Sequence, residues 1–435
     1  MSGPTSAALI CSIALIGWAA AMRAVSGTWL QPSAFFALWW CFMGILPLIV
    51  MPQDPVSTDV MFFLVASCIA VTLGAVIGNA GMRTRRKAAL QPATDRELLL
   101  LSTILVVALI AGFGSNISYL VGSSVNFADI LDLEKLVVVS NEQYVQRFAE
   151  GGAPSPPAVS QALLPFVYLA PAVGGILFVV RREKIWKLLA LLSFMPAVVV
   201  TILQTTKAAV LFAATFWLSG YFATRLRFGK LGVFTKSHVL AAAGLGVLVT
   251  TFFFAIGLAR MASTDLGLLN IVLGKLVTAA FGQMTVFSHW LTDYRGQPFD
   301  PTLGAYTFAG PLELLGFGKR TPGIFENLVE LAISETSNVY TGFRPLIEDF
   351  TIPGALAILG LLGVAGGAGF RFVAAGRWSA VPLLILAYMT ILWTPITWFW
   401  IYNSLTATVV AIGLIVLLVR IWRGHSGLRP PEEMI

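Results

Sequence analysis

Charged residues are scarce in this sequence: only 11% of its 435 residues are Asp, Glu, Lys or Arg, whereas 57% are hydrophobic. A soluble protein has about a quarter of its residues charged, so the composition excludes an ordinary soluble globular fold. Apolar runs of about 20 residues recur along the chain, the length that an α-helix needs to cross a bilayer. The sequence therefore predicts a single all-α polytopic membrane domain over residues 1–435.

Residues and motifs that bind metals or nucleotides are also scarce. The three cysteines, Cys11, Cys41 and Cys68, all fall inside apolar runs, and the three histidines are far apart. Neither set has the spacing of a metal site or of a disulfide framework. Walker A loops, zincin helices, G-x-S-x-G elbows and dinucleotide fingerprints are missing too. We therefore predict neither a metal nor another cofactor.

Apolar runs predict about eleven transmembrane helices, within a range of ten to twelve. The predicted spans are 6–22, 33–51, 60–80, 97–114, 161–180, 186–204, 207–224, 238–258, 352–370, 380–397 and 403–421. The first run has no basic region before it, so we interpret it as a retained span rather than a cleaved signal. Glycines at helical spacing in 360–370 indicate a close contact with another helix.

Basic residues predict the orientation of these spans. Clusters follow the third, fifth, seventh, ninth and eleventh spans, and 19 of the 28 Lys and Arg residues lie on that side. The positive-inside rule places this side in the cytoplasm. The N-terminus is then outside and the C-terminus inside, and the basic pI of about 9.4 reflects topology rather than a nucleic-acid partner.

Two outer segments are too long to be simple turns, namely 115–160 and 259–351. Loops of this length usually carry function or structure of their own. The second contains two apolar stretches, 266–284 and 324–333. We predict that both form short helices on the outer membrane face.

Three cations at the predicted outer ends of spans are candidate ligand-binding residues: Arg260, Lys207 and Arg344. A charge at such a position is costly without a partner. The planar fork of Arg suits phosphate oxygens, and Lys supplies a point charge. Three cations that converge at one outer cavity would bind a lipid-linked phosphate or pyrophosphate. The alternative is that each reaches the lipid headgroups or pairs with a nearby acid.

Three residues are candidate general bases, in the order Asp349, Glu348 and His289. A carboxylate or an imidazole can take the proton of a sugar hydroxyl. For both carboxylates the alternatives are capping of the ninth span or an ion pair with Arg344. For His289 the alternative is a structural role.

The stretch TSNVYTGFRPLIEDFTIPGAL, residues 336–356, resembles a signature of Wzy-type oligosaccharide repeat-unit polymerases, the O-antigen and capsule polymerases. Two further stretches resemble the same family: LGAYTFAGPLELLG at 303–316 and LQTTKAAVLF at 202–211. The sequence departs from the family pattern at Lys207, where Arg is usual, and at Thr351, where glycine is usual.

The resemblance implies a glycosyltransferase of the type C architecture in the bacterial inner membrane, with 115–160 and 259–351 as periplasmic loops. Such an enzyme joins oligosaccharide units that are linked to undecaprenyl pyrophosphate, on the periplasmic face. The expected partners are this lipid-linked oligosaccharide, membrane lipids, a chain-length regulator and a flippase. In this reading Arg344, Arg260 and Lys207 bind pyrophosphate. The expected sugar-binding residues are Asn338, Tyr340, Thr341 and Tyr306.

Two other functions are compatible with this layout. An O-antigen ligase would share the topology and the lipid donor but transfer to another acceptor. A non-enzymatic flippase or transporter of lipid-linked oligosaccharides would place its charges near the membrane midplane. The cations noted above lie at outer span ends instead, which favours an enzyme.

Overall fold

The computed structural model describes residues 3–80, 93–122, 135, 138, 142, 156–204, 208–229, 250–257, 269–295, 300–318, 325, 327–332 and 336–425. Nearly all of this part of the chain is helical. In chain order the helices and strands are α1 Gly3–Ser26, α2 Pro32–Val50, α3 Thr58–Asn79, α4 Asp95–Gly122, α5 Ala158–Val180, α6 Lys184–Leu192, α7 Met195–Gln204, α8 Ala208–Arg227, α9 Leu269–Phe281, α10 Gln283–Arg295, α11 Ala309–Leu314, β1 Val329–Glu330, β2 Thr336–Ser337, α12 Phe343–Ala374, α13 Val381–Trp393 and α14 Asn403–His425.

Long apolar helices dominate the described part of the chain. Eight stretches within it are long and apolar enough to cross a membrane, and two shorter apolar helices follow at Trp378–Trp393 and Asn403–Leu418. These helices coincide with ten of the eleven predicted spans. The remaining prediction, 238–258, lies largely outside the described residues, of which 250–257 are helical. The polytopic all-α character is thus confirmed.

Helices α3 and α12 pack with their backbones in close contact. A Cβ added at Gly74 would overlap the carbonyl oxygen of Gly360, and one at Gly363 would overlap that of Val71. Only glycine allows such an approach. The predicted close packing of the 360–370 glycines is confirmed, and α3 is the partner helix.

The contacts between loops group the predicted outer segments at one end of the bundle, which we call the site end. The Asp54 carboxylate accepts the Ala332 amide at 3.0 Å, and the Thr394 carbonyl accepts the Gly342 amide at 2.6 Å. At the opposite end, the Arg371 guanidinium donates to the carbonyl of Ala80 at 2.6 Å. This grouping agrees with the alternation that the basic clusters predict.

Of the two stretches predicted to form helices in this loop, one is helical and the other is not helical in its described residues. The 266–284 stretch forms α9 and the start of α10, which meet at a bend of 62°. The 324–333 stretch instead contains β1, which pairs antiparallel with β2. Its backbone groups bond to other segments: the Asn327 carbonyl accepts from Tyr340, and the Ala332 amide donates to Asp54. These bonds replace the ones that a helix would make.

Helix α12 is broken at Thr351, where φ is 63° and ψ is 176°. This backbone conformation is essentially restricted to glycine. The break separates a membrane-spanning part from the preceding residues 343–350, which we call the half-helix. Seven of its eight side chains are buried, so the half-helix lies inside the protein at the site end.

Candidate functional site

The half-helix presents Arg344 to a cluster that we call the arginine box, formed with Glu348, Trp290, Phe325 and Tyr340. The Arg344 Nε donates to the Glu348 carboxylate at 2.8 Å, and the guanidinium carbon lies 5.3 Å from the ring centroid of Trp290. The guanidinium carbon lies 3.9 Å from the ring centroid of Phe325 and 4.0 Å from that of Tyr340. These contacts stabilise a cation that is only 7% exposed.

The turn at Thr341 and Gly342 determines where the half-helix begins. Thr341 has a positive φ of 63°, and its hydroxyl accepts the Phe343 amide at 3.3 Å. Gly342 lies against the backbone of Thr397, where a Cβ would be 2.9 Å from the carbonyl carbon. Arg344 and Glu348 then fall one helical turn apart, the spacing at which side chains meet.

One nitrogen of Arg344 is left without a partner. Its Nη1 is buried and makes no hydrogen bond to any part of the chain that the structure describes. An unsatisfied buried donor is costly, and more so on a charged group. An oxyanion at this edge of the guanidinium would supply the missing acceptor, since Arg pairs well with carboxylate and phosphate oxygens.

Asp349 faces the other way and holds the loop at 302–307. Its fully buried carboxylate accepts from the Thr302 hydroxyl and from the backbone amides of Tyr306 and Thr307. Its backbone carbonyl accepts the Leu303 amide at 3.1 Å. Asp349 thus caps this loop rather than the ninth span, and the ion pair with Arg344 is made by Glu348. The carboxylate is engaged by three donors, which weighs against its use as a base.

The other predicted residues divide into three groups. Arg260 and Lys207 lie outside the described residues, so the predicted convergence of three cations stays a prediction. His289 is exposed on α10 and does not join the arginine box. Asn338 and Tyr306 lie beside the box, and both contact Phe325. The Asn338 side-chain amide donates to the Phe325 carbonyl at 3.1 Å, and the ring centroids of Tyr306 and Phe325 are 5.9 Å apart.

Tyr340 is buried, and its hydroxyl donates to the Asn327 carbonyl. Burial raises the pKa of Tyr340, and the positive charge of Arg344 opposes that shift. The phenol is therefore protonated at neutral pH and acts as a hydrogen-bond donor. The Tyr340 ring lies against Arg344 and forms one wall of the arginine box.

Sequence reasoning missed two walls of the box, Trp290 and Phe325. For Trp290 a signal was present, because Phe287, Trp290 and Tyr294 recur at helical spacing and stack in sequence, with ring centroids 5.7 and 5.0 Å apart. This pattern marks one face of a helix, and the neighbouring His289 lies on another. No local pattern singles out Phe325.

Backbone strain gathers around the half-helix. Among the described residues, the non-glycine residues with positive φ are Leu303, Thr341 and Thr351. Thr341 precedes the half-helix, Thr351 ends it, and Leu303 is bonded to Asp349. Strained residues cluster at functional sites in proteins, which makes this region the best candidate site of the described chain.

No protein-family model matches the chain, and comparisons with curated proteins and with solved structures give no match either. The fold and the site define a class: a polytopic α-helical membrane protein with a buried arginine held by a carboxylate and aromatic rings at the site end of its bundle.

Proposed function

We propose that this protein is a polymerase of the Wzy type in the bacterial inner membrane, with its site end facing the periplasm and its C-terminus in the cytoplasm. It would join oligosaccharide units carried on undecaprenyl pyrophosphate. The observation that carries the proposal is the buried Nη1 of Arg344, for which the described residues supply no acceptor. In addition, the stretch that resembles the polymerase signature, 336–356, contains the half-helix and one wall of the box, Tyr340.

In this proposal Arg344 binds an oxygen of the donor pyrophosphate through its Nη edge, while Glu348 holds Nε. Glu348 is then a positioning residue. The positive charge stabilises the departing undecaprenyl pyrophosphate as the glycosidic bond breaks. The acceptor hydroxyl forms the new bond to the sugar carbon and gives its proton to a base.

The supporting loop belongs to the same arrangement. Asp349 fixes residues 302–307 against the half-helix, so Tyr306 stays beside Phe325 at the edge of the box. Preorganised groups cost little reorganisation when the substrate binds. Arg260 and Lys207 remain proposed ligands of the pyrophosphates. A flippase would deliver the lipid-linked unit, and a chain-length regulator would act on the product.

The test is substitution of Arg344 in a strain whose own gene is deleted. Loss of one oxyanion donor typically lowers a rate by about 100-fold or more, so Arg344→Ala should abolish polymer and leave products with a single unit. Arg344→Lys should restore little, because Lys cannot keep both the Glu348 bond and the Nη contact. The readouts are the polysaccharide ladder on a gel and the membrane level of the protein.

Arg371→Ala is the matched control, since Arg371 is a similarly buried arginine at the opposite end of the bundle. It should leave the chain-length distribution unchanged at equal protein level. Wild-type chain lengths in Arg344→Ala would exclude the proposed role. Polymer that accumulates on its lipid carrier would indicate a ligase, and lipid-linked units confined to the cytoplasmic face would indicate a flippase.

A further inference from the structure

Residues 303–317, which we call the apolar loop, expose large hydrophobic side chains at the site end. Leu303 is 80% exposed, Leu315 69% and Phe317 78%. Glu313 is the only charged residue in this stretch. Large apolar side chains exposed at neighbouring positions, as at Leu315 and Phe317, indicate a contact with a membrane or with another protein.

The apolar loop lies between the ends of two membrane-crossing helices. Gly310 rests on the backbone where α14 begins, so that a Cβ there would be 2.6 Å from the carbonyl carbon of Tyr402. Phe308 packs edge-on against Phe350, with centroids 6.3 Å apart, next to the break at Thr351. Both neighbours continue directly into apolar helices. The loop is therefore level with the boundary between lipid and water.

Three backbone amides at the tip of the apolar loop are paired within the loop. The amides of Leu315, Gly316 and Phe317 donate to carbonyls within the loop, at 3.0, 3.1 and 2.9 Å. Gly316 makes this tight closure possible with a φ of 79°. Amides paired in this way can enter lipid without the cost of an unmet hydrogen bond, while the apolar side chains point outward.

We propose that the apolar loop inserts Leu315 and Phe317 among the acyl chains of the lipid leaflet at the site end. Three observations favour lipid over a protein partner: its place between two span ends, its near absence of charge, and the internal pairing of its tip amides. Asp349 joins this loop to the half-helix, so the inserted segment sits beside the arginine box. The inference is independent of the chemistry at Arg344.

The test is fluorescence quenching on the full-length protein reconstituted in phosphatidylethanolamine and phosphatidylglycerol vesicles. Phe317→Cys and, separately, Leu315→Cys carry an environment-sensitive NBD label. Both positions are exposed, so the substitutions should not disturb folding, and the native cysteines are buried. Glu330→Cys is the matched control, because Glu330 is an exposed residue of β1 in the same outer segment.

Lipids with a nitroxide on the acyl chain should quench labels at 315 and 317 several-fold more than the label at 330, and aqueous iodide should show the reverse order. Equal iodide quenching at all three positions would overturn the proposal, because the loop would then lie in water. Protection from both quenchers would overturn it as well, because a protein surface would then cover the loop. Neither outcome would affect the polymerase test.

Discussion

Arg344 shows how a membrane protein keeps a charge in its interior. One carboxylate neutralises the guanidinium, and two aromatic rings in an edge-to-face arrangement lie against it. The Coulomb attraction of a buried pair seldom exceeds the desolvation cost by much. Such a pair is therefore weak evidence for stability. The described residues supply no acceptor for Nη1, and together with the strained backbone around the half-helix this favours a binding role.

The first prediction concerns a single residue, Asp349. In Asp349→Asn, one oxygen acceptor is replaced by an NH₂ donor that would face the donors of the 302–307 loop. We expect a loss of about 2 kcal/mol in the free energy of unfolding, with faster proteolytic cleavage within 300–318. The measurements are a thermal unfolding midpoint in detergent and limited proteolysis.

The control for that prediction is Asp59→Asn. Asp59 pairs with Arg295 at 2.6 Å, but both side chains are about half exposed. Exposed pairs contribute about 0–1 kcal/mol, so the unfolding midpoint should barely change. An equal effect of the two substitutions would show that Asp349 does not hold the loop in the way described.

The second prediction concerns the contact between the helices α3 and α12. Gly74→Ala places a methyl group against the backbone of α12, so the two helices must separate. Gly413→Ala adds the same group where nothing lies within 4 Å, and Ala favours a helix over Gly by about 1 kcal/mol. We expect Gly74→Ala to lower the thermal midpoint and Gly413→Ala to maintain or raise it.

Fluorescence-detected size-exclusion chromatography of heated samples measures both variants. Both variants replace glycine by alanine, so a difference between their thermal midpoints reflects the effect of the helix contact. A Gly74→Ala protein as stable as the parent would mean that α3 and α12 do not touch in the membrane.

The elements show where sequence reasoning succeeds and where it stops. Spans are long and their signal is summed over about 20 residues, so their positions follow from hydropathy alone. The 324–333 stretch is short and apolar, and its helix prediction was wrong because long-range bonds to Tyr340 and Asp54 determine its path. The half-helix is likewise specified by contacts distant in sequence, which a local pattern does not reveal.

The third prediction concerns the orientation of the whole molecule in the membrane. The positive-inside rule places the site end outside and the basic end in the cytoplasm. In intact bacterial cells, a membrane-impermeant thiol reagent should label Glu330→Cys but not Arg182→Cys. Both residues are exposed and lie in predicted loops of opposite sides.

Opening the cells should make Arg182→Cys reactive, which shows that the residue is accessible once the barrier is gone. Labelling of Arg182→Cys in intact cells would invert the topology. The site end would then face the cytoplasm, and the proposed periplasmic reaction would have to be abandoned.

Candidate-site residues were predicted less completely than the positions of the apolar helices. Arg344 and Glu348 could be chosen because charge is rare near a span, and the structure pairs them. The aromatic walls come from α10 and from the 325–340 region, and only the folded chain brings these together. A site whose residues come together only in the folded protein cannot be predicted from any single stretch of the sequence.

The break at Thr351 has a consequence for the order of assembly. Eight residues are too few for a stable isolated helix, because nucleation is costly, and the half-helix is bounded by Thr341 and Thr351 in unfavourable conformations. We expect it to form only after α3, α10 and α13 have come together around it. A newly inserted, partly assembled chain would then lack the arginine box. The protein would therefore be able to bind its ligand only after the last stage of folding.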